Sequence, residues 1–131
     1  MDEAKSLRER GAAVRRELMG ENFAGSLEST VYADAGMRKF RDLAQEIAFG
    51  TVWSRPGLDL KTRTLICVVS DAATGQQPEL AIHLRMALRQ GWTEDELTEV
   101  LLHLSGYVGA PLVREAFLTA RKLFAEVRAG S

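Results

Sequence analysis

The stretch DLKTRTLICVVSDAATG, residues 59–75, decides the fold of this chain. Its centre, LICVV, is apolar on every side, and that pattern fits a buried helix as well as a buried strand. The flanks KTRT and SDAAT, however, extend the segment beyond the ordinary length of a strand. Asp59 also suits the N-cap of a helix that runs from Leu60 to about Thr74. We therefore predict a buried helix here, and with it an all-α fold of about six helices.

Three more helices are predicted on the C-terminal side of this segment. Pro78 and Pro111 suit the first turns of the fourth and the sixth helix, because proline lacks the N–H that a first turn leaves unpaired. Thr93 and Glu96 form a capping box for the fifth helix, which Gly109 ends. The predicted inward stripes are Leu80, Leu84, Ala87 and Leu88; then Leu97, Val100, Leu101, Leu104 and Val108; and last Val113, Ala116, Phe117, Ala120, Phe124 and Val127.

Two helices with an irregular segment between them are predicted on the N-terminal side. The first ends at Gly20, and Gly11 within it weakens the helix by about 1 kcal/mol relative to alanine, so we expect close packing at Gly11. Residues 21–36 show no clean period and are interpreted as a loop or short turns. The stripe of the first helix is Leu7, Gly11, Val14 and Leu18, and that of the second is Phe40, Leu43, Ala44, Ile47, Ala48 and Val52.

Length and composition indicate one globular domain over residues 1–131 and exclude several classes of function. The chain is 46% hydrophobic and 27% charged, with a formal net charge of −1. This balance gives no basic surface for nucleic acid, so no nucleic-acid partner is expected. The longest apolar run, Leu65 to Val69, is too short to span a bilayer, so no membrane association is expected either.

One cysteine, Cys67, allows no intrachain disulfide, and without a Cys/His cluster no structural zinc site is expected. The charged start MDEAKSLRER has no secretory apolar region, so a cytoplasmic location is expected. We interpret Cys67 as a small core residue in an apolar run that raises its pKa.

Several polar residues are candidates for a site, each with an ordinary structural alternative. Glu79 and His83 lie four residues apart on the fourth helix, as His103 and Tyr107 do on the fifth. Such a pair is more often a minor surface contact worth roughly a few tenths of a kcal/mol. The other candidates are Trp53, Arg55 and Arg63 around the Pro-Gly turn, and Asp71, which needs a partner if it is buried.

Three runs of this sequence resemble the carboxymuconolactone decarboxylase family. They are VRRELMG (residues 14–20), GTVWSRPGLDLKTRTLI (residues 50–66) and ELAIHLRMALRQGWTEDELTEVLLHLSGYVGAP (residues 79–111). The resemblance covers nearly the whole chain, keeps its motifs in order and is greatest to the short gamma-carboxymuconolactone decarboxylases. It implies the all-α fold of the alkyl hydroperoxidase D-like superfamily, assembled as a homotrimer or a hexameric ring.

The redox branch of that superfamily carries a C-x-x-C motif, a histidine four residues later and a glutamate on the preceding helix. Aligning His83 with that histidine places the cysteine positions at Gln76 and Glu79 and the glutamate position at Thr64. Only the histidine is present here, so the resemblance is to the branch without the redox motif. Thiol peroxidase chemistry is therefore not expected.

The resemblance implies decarboxylation of a carboxylated unsaturated lactone, the step before 3-oxoadipate enol-lactone in protocatechuate breakdown, with no metal and no cofactor. His83 is then the general acid/base, and Glu79 orients it or tunes its pKa. Arg55 or Arg63 holds a substrate carboxylate. Further contacts to the small-molecule carboxylate substrate are assigned to Trp53 and Tyr107 as pocket walls, and to Tyr107 or His103 as donor to the developing oxyanion.

Residues 35–45 depart from the family pattern, so a decarboxylase of a different small acid stays open. A non-catalytic oligomeric ligand-binding protein on the same scaffold is the alternative from another class. A residual redox role through Cys67 is the third.

Overall fold

The computed structural model describes residues 6–130, and within them it is all-helical without strands, which confirms the predicted fold class. The chain divides into two compact units, one up to Leu58 and one from Asp59 onward. The single domain predicted over residues 1–131 stays a prediction. Residues 6–130 form α1 (Leu7–Met19), α2 (Glu21–Thr30), α3 (Ala35–Ala44), a π-helical segment (Gln45–Trp53), α4 (Leu60–Thr74), α5 (Gln77–Arg89), α6 (Glu94–Leu104) and α7 (Ala110–Arg128).

In the N-terminal unit, α1 packs closely along the π-helical segment. A Cβ atom on Gly11 would lie 1.7 Å from the carbonyl oxygen of Gln45, and one on Gly50 would lie 2.4 Å from that of Leu7. Only residues without a side chain permit this approach of two backbones. The close packing predicted at Gly11 is therefore confirmed.

The loop predicted over residues 21–36 is wrong, because Glu21–Thr30 forms the helix α2. Leu27 is the buried residue of α2, so the helix has too little apolar surface to produce a periodic pattern. Two hydroxyl groups of α2 also donate to carbonyls of the preceding turn: Ser26 to Phe23 at 2.8 Å, and Thr30 to Ser26 at 2.7 Å. Hydrogen bonds of this kind do not depend on the spacing of apolar residues, so the hydrophobic pattern does not reveal them.

The apolar stripe of the predicted second helix does not face inward in this chain. The helix itself exists as α3 and the π-helical segment, but Phe40, Leu43, Ile47 and Val52 are each more than half exposed. Phe40 and Leu43 are exposed on α3 itself, and Ile47 and Val52 are exposed on the π-helical segment, where hydrogen bonds join residues five apart. Gly50 and Trp53 are buried instead.

In the C-terminal unit, α4 has the predicted bounds. The carboxylate of Asp59 accepts a hydrogen bond from the Thr62 N–H at 2.7 Å, and Gly75 ends the helix with a left-handed φ of 72°. The helix is not buried all round as predicted: its inner face carries Thr64, Val68, Asp71 and Ala72, and Ile66 is 53% exposed.

The core of the C-terminal unit is built from the predicted stripes of the last three helices. α5 packs on α4 and α7, and α6 packs on α7 and α4. Trp92, after α5, donates its indole N–H to the carbonyl of Lys61 at 3.0 Å, which anchors the α5–α6 turn to α4. The capping box of Thr93 and Glu96 is confirmed, but α6 ends at Leu104 rather than near Gly109. Buried members of the stripes include Leu80, Leu84, Ala87, Leu97, Leu101, Val113, Ala116 and Ala120.

No helix within residues 6–130 has the length and apolar character required to cross a membrane.

Candidate functional site

A carboxylate and an imidazole meet where α4 packs against α5. The Nδ1 atom of His83 lies 2.5 Å from Oδ2 of Asp71. Asp71 is one turn from the C-terminus of α4, and His83 is in the second turn of α5, so the tight turn at Gly75 folds one toward the other. Asp71 is buried, and the side chain of His83 is 16% exposed. A short, largely buried contact of this kind is a charge-assisted hydrogen bond.

The Asp71 contact sets which nitrogen of His83 carries the proton. A carboxylate only accepts, so Nδ1 donates to Asp71. In the neutral ring the lone pair is then on Nε2, and in the protonated ring Nε2 carries the second proton. The carboxylate also holds the plane of the ring. A proton exchanged by His83 without breaking the Asp71 contact would therefore pass through Nε2.

Cys67 and Glu79 lie close to this pair. Burial raises the pKa of the Cys67 thiol to about 11, and the negative charges of Asp71 and Glu79 add to the effect. The thiol is therefore protonated at neutral pH and is a poor nucleophile, as its apolar run predicted. Glu79 itself is exposed in the first turn of α5. The carboxylate in contact with Nδ1 is that of Asp71, and a role for Glu79 stays a prediction.

Arg63 belongs to the same helix as Asp71. The residues Arg63, Cys67 and Asp71 follow one another at a spacing of four, so each lies about 6 Å further along the axis of α4. Arg63 is half-buried. Thr64, which stands at the position of the redox glutamate, is fully buried and donates its hydroxyl to the carbonyl of Leu60 at 2.7 Å.

His103 and Tyr107 lie together at the C-terminal end of α6. Their ring centroids are 5.2 Å apart at an interplanar angle of 35°. Tyr107 is 77% exposed, and His103 is exposed as well. The two rings are in contact, but Tyr107 lies beyond the end of α6 and not on the helix as predicted. Their contact with substrate stays a prediction.

Trp53 and Arg55 belong to the N-terminal unit. Trp53 is buried at the end of the π-helical segment and stacks on Phe49 with ring centroids 5.9 Å apart. Arg55 follows in the exposed turn before Pro56. This packing explains Trp53 as a structural residue of its unit, and the binding roles predicted for Trp53 and Arg55 stay predictions.

Asp71 is the partner of His83, and the sequence pattern did not identify it as such. A carboxylate inside an apolar helix requires a partner when buried, and that requirement was the available signal. The partner is twelve residues away across the Gly75 turn, and periodicity carries no information about which faces meet there.

Within residues 6–130 no group of three or more His, Cys, Asp or Glu side chains is arranged to hold a metal ion. The polar groups that converge here are an imidazole, two carboxylates and a protonated thiol. Such a set can hold and move a proton.

Comparison with known proteins connects this chain to a family. The model of the carboxymuconolactone decarboxylase family matches residues 38–122. A 4-carboxymuconolactone decarboxylase of Acinetobacter baylyi is 37% identical over 118 residues, which are 89% of this chain and 86% of that protein. A nitrosuccinic acid decarboxylase of Metarhizium robertsii is 33% identical over 120 residues, which are 90% of this chain and 81% of that protein. The family resemblance seen in the sequence is confirmed.

Proposed function

The chain belongs to the carboxymuconolactone decarboxylase family, and we propose that it removes carbon dioxide from a small carboxylated lactone without a cofactor. The names of two similar proteins, both decarboxylases, support its assignment as a carboxy-lyase. The observation that supports a catalytic centre in this chain is the contact between Asp71 and His83, because it provides an oriented proton donor on facing helices.

The reaction consists of one bond broken and one bond formed. The bond between the carboxylate carbon and its neighbour breaks, and its electron pair moves into the conjugated lactone carbonyl to form an enolate. Carbon dioxide leaves, and the protonated His83 gives its Nε2 proton to carbon as the carbonyl re-forms. Solvent then returns a proton to the ring. A positioned general acid of this type contributes about 10²–10⁴-fold to the rate.

The remaining roles are assigned to residues named from the sequence. Asp71 fixes the tautomer of His83 and balances the charge of the imidazolium. Arg63 shares α4 with Asp71 and holds a substrate carboxylate through its planar fork. Glu79 adjusts the charge around the ring. Tyr107 walls the pocket, and Tyr107 or His103 donates to the enolate oxygen.

The substrate is a carboxylate whose neighbouring carbon is linked to an electron-accepting group. The names of both relatives fit this description, since a lactone carbonyl and a nitro group each accept the electron pair that carbon dioxide leaves behind. 4-Carboxymuconolactone is the substrate we propose first, which places the enzyme in the breakdown of aromatic compounds in the cytoplasm. Nitrosuccinate is the second candidate.

Purified protein should consume 4-carboxymuconolactone, followed by loss of ultraviolet absorbance and release of carbon dioxide. The variant His83→Ala should lose at least about a hundredfold in kcat. The control Cys67→Ser should retain turnover, because the protonated thiol has no part in the reaction. Turnover of nitrosuccinate alone would reject the lactone, and full activity of His83→Ala would reject the role of the imidazole.

The family resemblance also supports a trimer or a hexamer. The exposed apolar side chains of α3 and the π-helical segment are consistent with an interface between copies, because soluble proteins seldom leave many large apolar groups in water.

A further inference from the structure

A second cluster of charged groups lies in the N-terminal unit, apart from the chemistry assigned to His83. Glu28 of α2 stands between two arginines: Arg41 of α3 donates to its Oε1 atom, and Nη1 of Arg15 in α1 lies 3.7 Å from its Oε2 atom. Arg41 also donates to Asp42 at 3.0 Å. The distance from Nη1 of Arg15 exceeds that of a hydrogen bond, so Glu28 accepts a hydrogen bond from Arg41 and only an ionic contact from Arg15.

Arg15 is an unusual residue for such a position. It is only 6% exposed, although arginine is almost never buried without full pairing. Its guanidinium carbon lies 5.3 Å from the ring centroid of Tyr32. Its Nη2 atom is buried without a hydrogen-bond partner, and so is Oε2 of Glu28. A buried donor without a partner destabilises the fold, and more so when it is charged.

The unpaired Nη2 belongs to a residue that lines a cavity. The cavity has a volume of about 320 Å³. Three arginines and two glutamates are among its lining residues, so its formal net charge is +1. This volume is at the lower end of small-molecule sites and fits an acid of a few carbon atoms. The charged lining residues are Arg15, Arg16, Arg41, Glu21 and Glu28.

We propose that this cavity binds a small organic carboxylate, with Arg15 as its principal ligand. One carboxylate oxygen takes the place of the Glu28 carboxylate beside the Arg15 guanidinium, and the rest of the acid occupies the cavity between α1, α2 and α3. The chain itself shows the fit, because the carboxylate of Glu28 already lies between Arg15 and Arg41. The motif VRRELMG, which the decarboxylation chemistry leaves unused, thereby acquires a role through its first arginine.

The test is isothermal titration of the full chain with succinate at constant ionic strength. Succinate should bind saturably at one site per chain, and Arg15→Met should weaken binding about ten- to hundredfold. Methionine keeps the length and packing of the arginine stem, and replacing a buried charge by an apolar group is commonly neutral or stabilising. Arg10→Met removes an exposed arginine of the same helix and should leave binding unchanged.

Glu28→Gln separates ligand binding from a purely structural ion pair. It removes the internal carboxylate that competes for Arg15 and Arg41, so succinate should bind more tightly than to the natural chain. A merely structural cluster would lose stability and gain no affinity. The proposal is overturned if neither the natural chain nor Glu28→Gln binds succinate, if Arg10→Met weakens binding as much as Arg15→Met, or if phosphate binds in place of succinate. Loss of binding in His83→Ala but not in Arg15→Met would overturn it as well.

Discussion

At the scale of single residues, the two carboxylates near the imidazole of His83 differ in burial and in contact with the ring. Asp71 is buried and touches Nδ1, whereas Glu79 is exposed to water. Water and salt screen an exposed charge, so its effect on a neighbour is weak. A buried carboxylate at 2.5 Å acts with little screening. The charge of Asp71 should therefore matter more to His83 than that of Glu79.

Asp71→Asn and Glu79→Gln form a matched pair that tests this difference. We expect Asp71→Asn to lower kcat about a hundredfold or more with little change in KM, because the ring loses its fixed tautomer while substrate contacts remain. Glu79→Gln should lower kcat by less than about tenfold. Steady-state kinetics with the lactone measures both, and thermal unfolding checks that each variant is folded. The reverse order of the two effects would contradict the assignment of Asp71.

The thiol of Cys67 should titrate near pH 11, because burial and then the charges of Asp71 and Glu79 raise its pKa. The ordinary thiol pKa is 9.0, so between the two values the folded chain keeps a proton that the unfolded chain has lost. Stability from this group is complete below pH 9 and declines as the pH rises toward 11. Ultraviolet titration of the thiolate measures the midpoint.

The variant Asp71→Asn should lower that midpoint, since it removes one of the charges that oppose ionisation. A thiolate that forms at or below the ordinary value in the natural chain would contradict the burial of Cys67. Cys67→Ser serves as the blank for the titration.

Part of the candidate site could be predicted from residue types, but the contact between its side chains could not. The sequence indicated His83 as a site residue and argued against thiol chemistry. It also indicated that Asp71 needs a partner if it is buried. It did not join Asp71 to His83, because helical periodicity describes one helix at a time. The pocket around Arg15 was equally hidden, since residues 21–36 were interpreted as irregular.

At the scale of elements, the crossing of α1 with the π-helical segment depends on two glycines. Gly11 and Gly50 allow the backbones to approach until a single methyl group would collide with a carbonyl oxygen. By contrast, a Cβ atom on Gly25 of α2 would meet no atom within 4 Å. The same substitution should therefore have opposite effects in two helices of one unit.

Gly11→Ala should destabilise the protein by about 1–3 kcal/mol or more, because the overpacked crossing outweighs the gain in helix propensity. Gly25→Ala should stabilise it by up to about 1 kcal/mol, since only the propensity changes. Urea denaturation followed by circular dichroism measures both free energies of unfolding. Equal effects of the two substitutions would refute the close crossing.

The caps at two helix N-termini were predicted correctly, whereas the inward face of the second predicted helix was not. Asp59, and Thr93 with Glu96, cap the helices that they were expected to cap, because each cap is a bond between residues three apart. The second apolar stripe does not face inward, and this already holds for Phe40 and Leu43 in α3, before the π geometry begins at Gln45. The π-helical segment is the part of this stretch that packs closely on α1.

At the scale of the whole molecule, apolar surface remains in water on the single chain. Phe40, Leu43, Ile47 and Val52 follow one another along one continuous helical stretch, with exposures between 53% and 57%. Burial of such side chains stabilises an interface by roughly 25 cal/mol for each Å² of apolar surface removed from water. This surface supports the proposal that copies of the chain assemble.

We expect light scattering at micromolar protein to give three or six times the chain mass of 14.5 kDa. Leu43→Lys should shift the mass toward the monomer, because it places a charge on the apolar stretch. Lys39→Ser, which changes an exposed polar residue of the same helix, should leave the mass unchanged. A monomeric mass of the natural chain would contradict the proposed assembly.

The sequence alone determined that the chain is helical, where α4 begins and ends, and to which family it belongs. Caps, prolines at first turns and apolar spacing act between near neighbours in the chain. They can therefore be recognised in the sequence before the fold is known. Tertiary structure decided that Asp71 meets His83 and that Arg15, Glu28 and Arg41 surround one cavity. These contacts depend on how helices rotate and cross, which is set by packing of side chains distant in sequence.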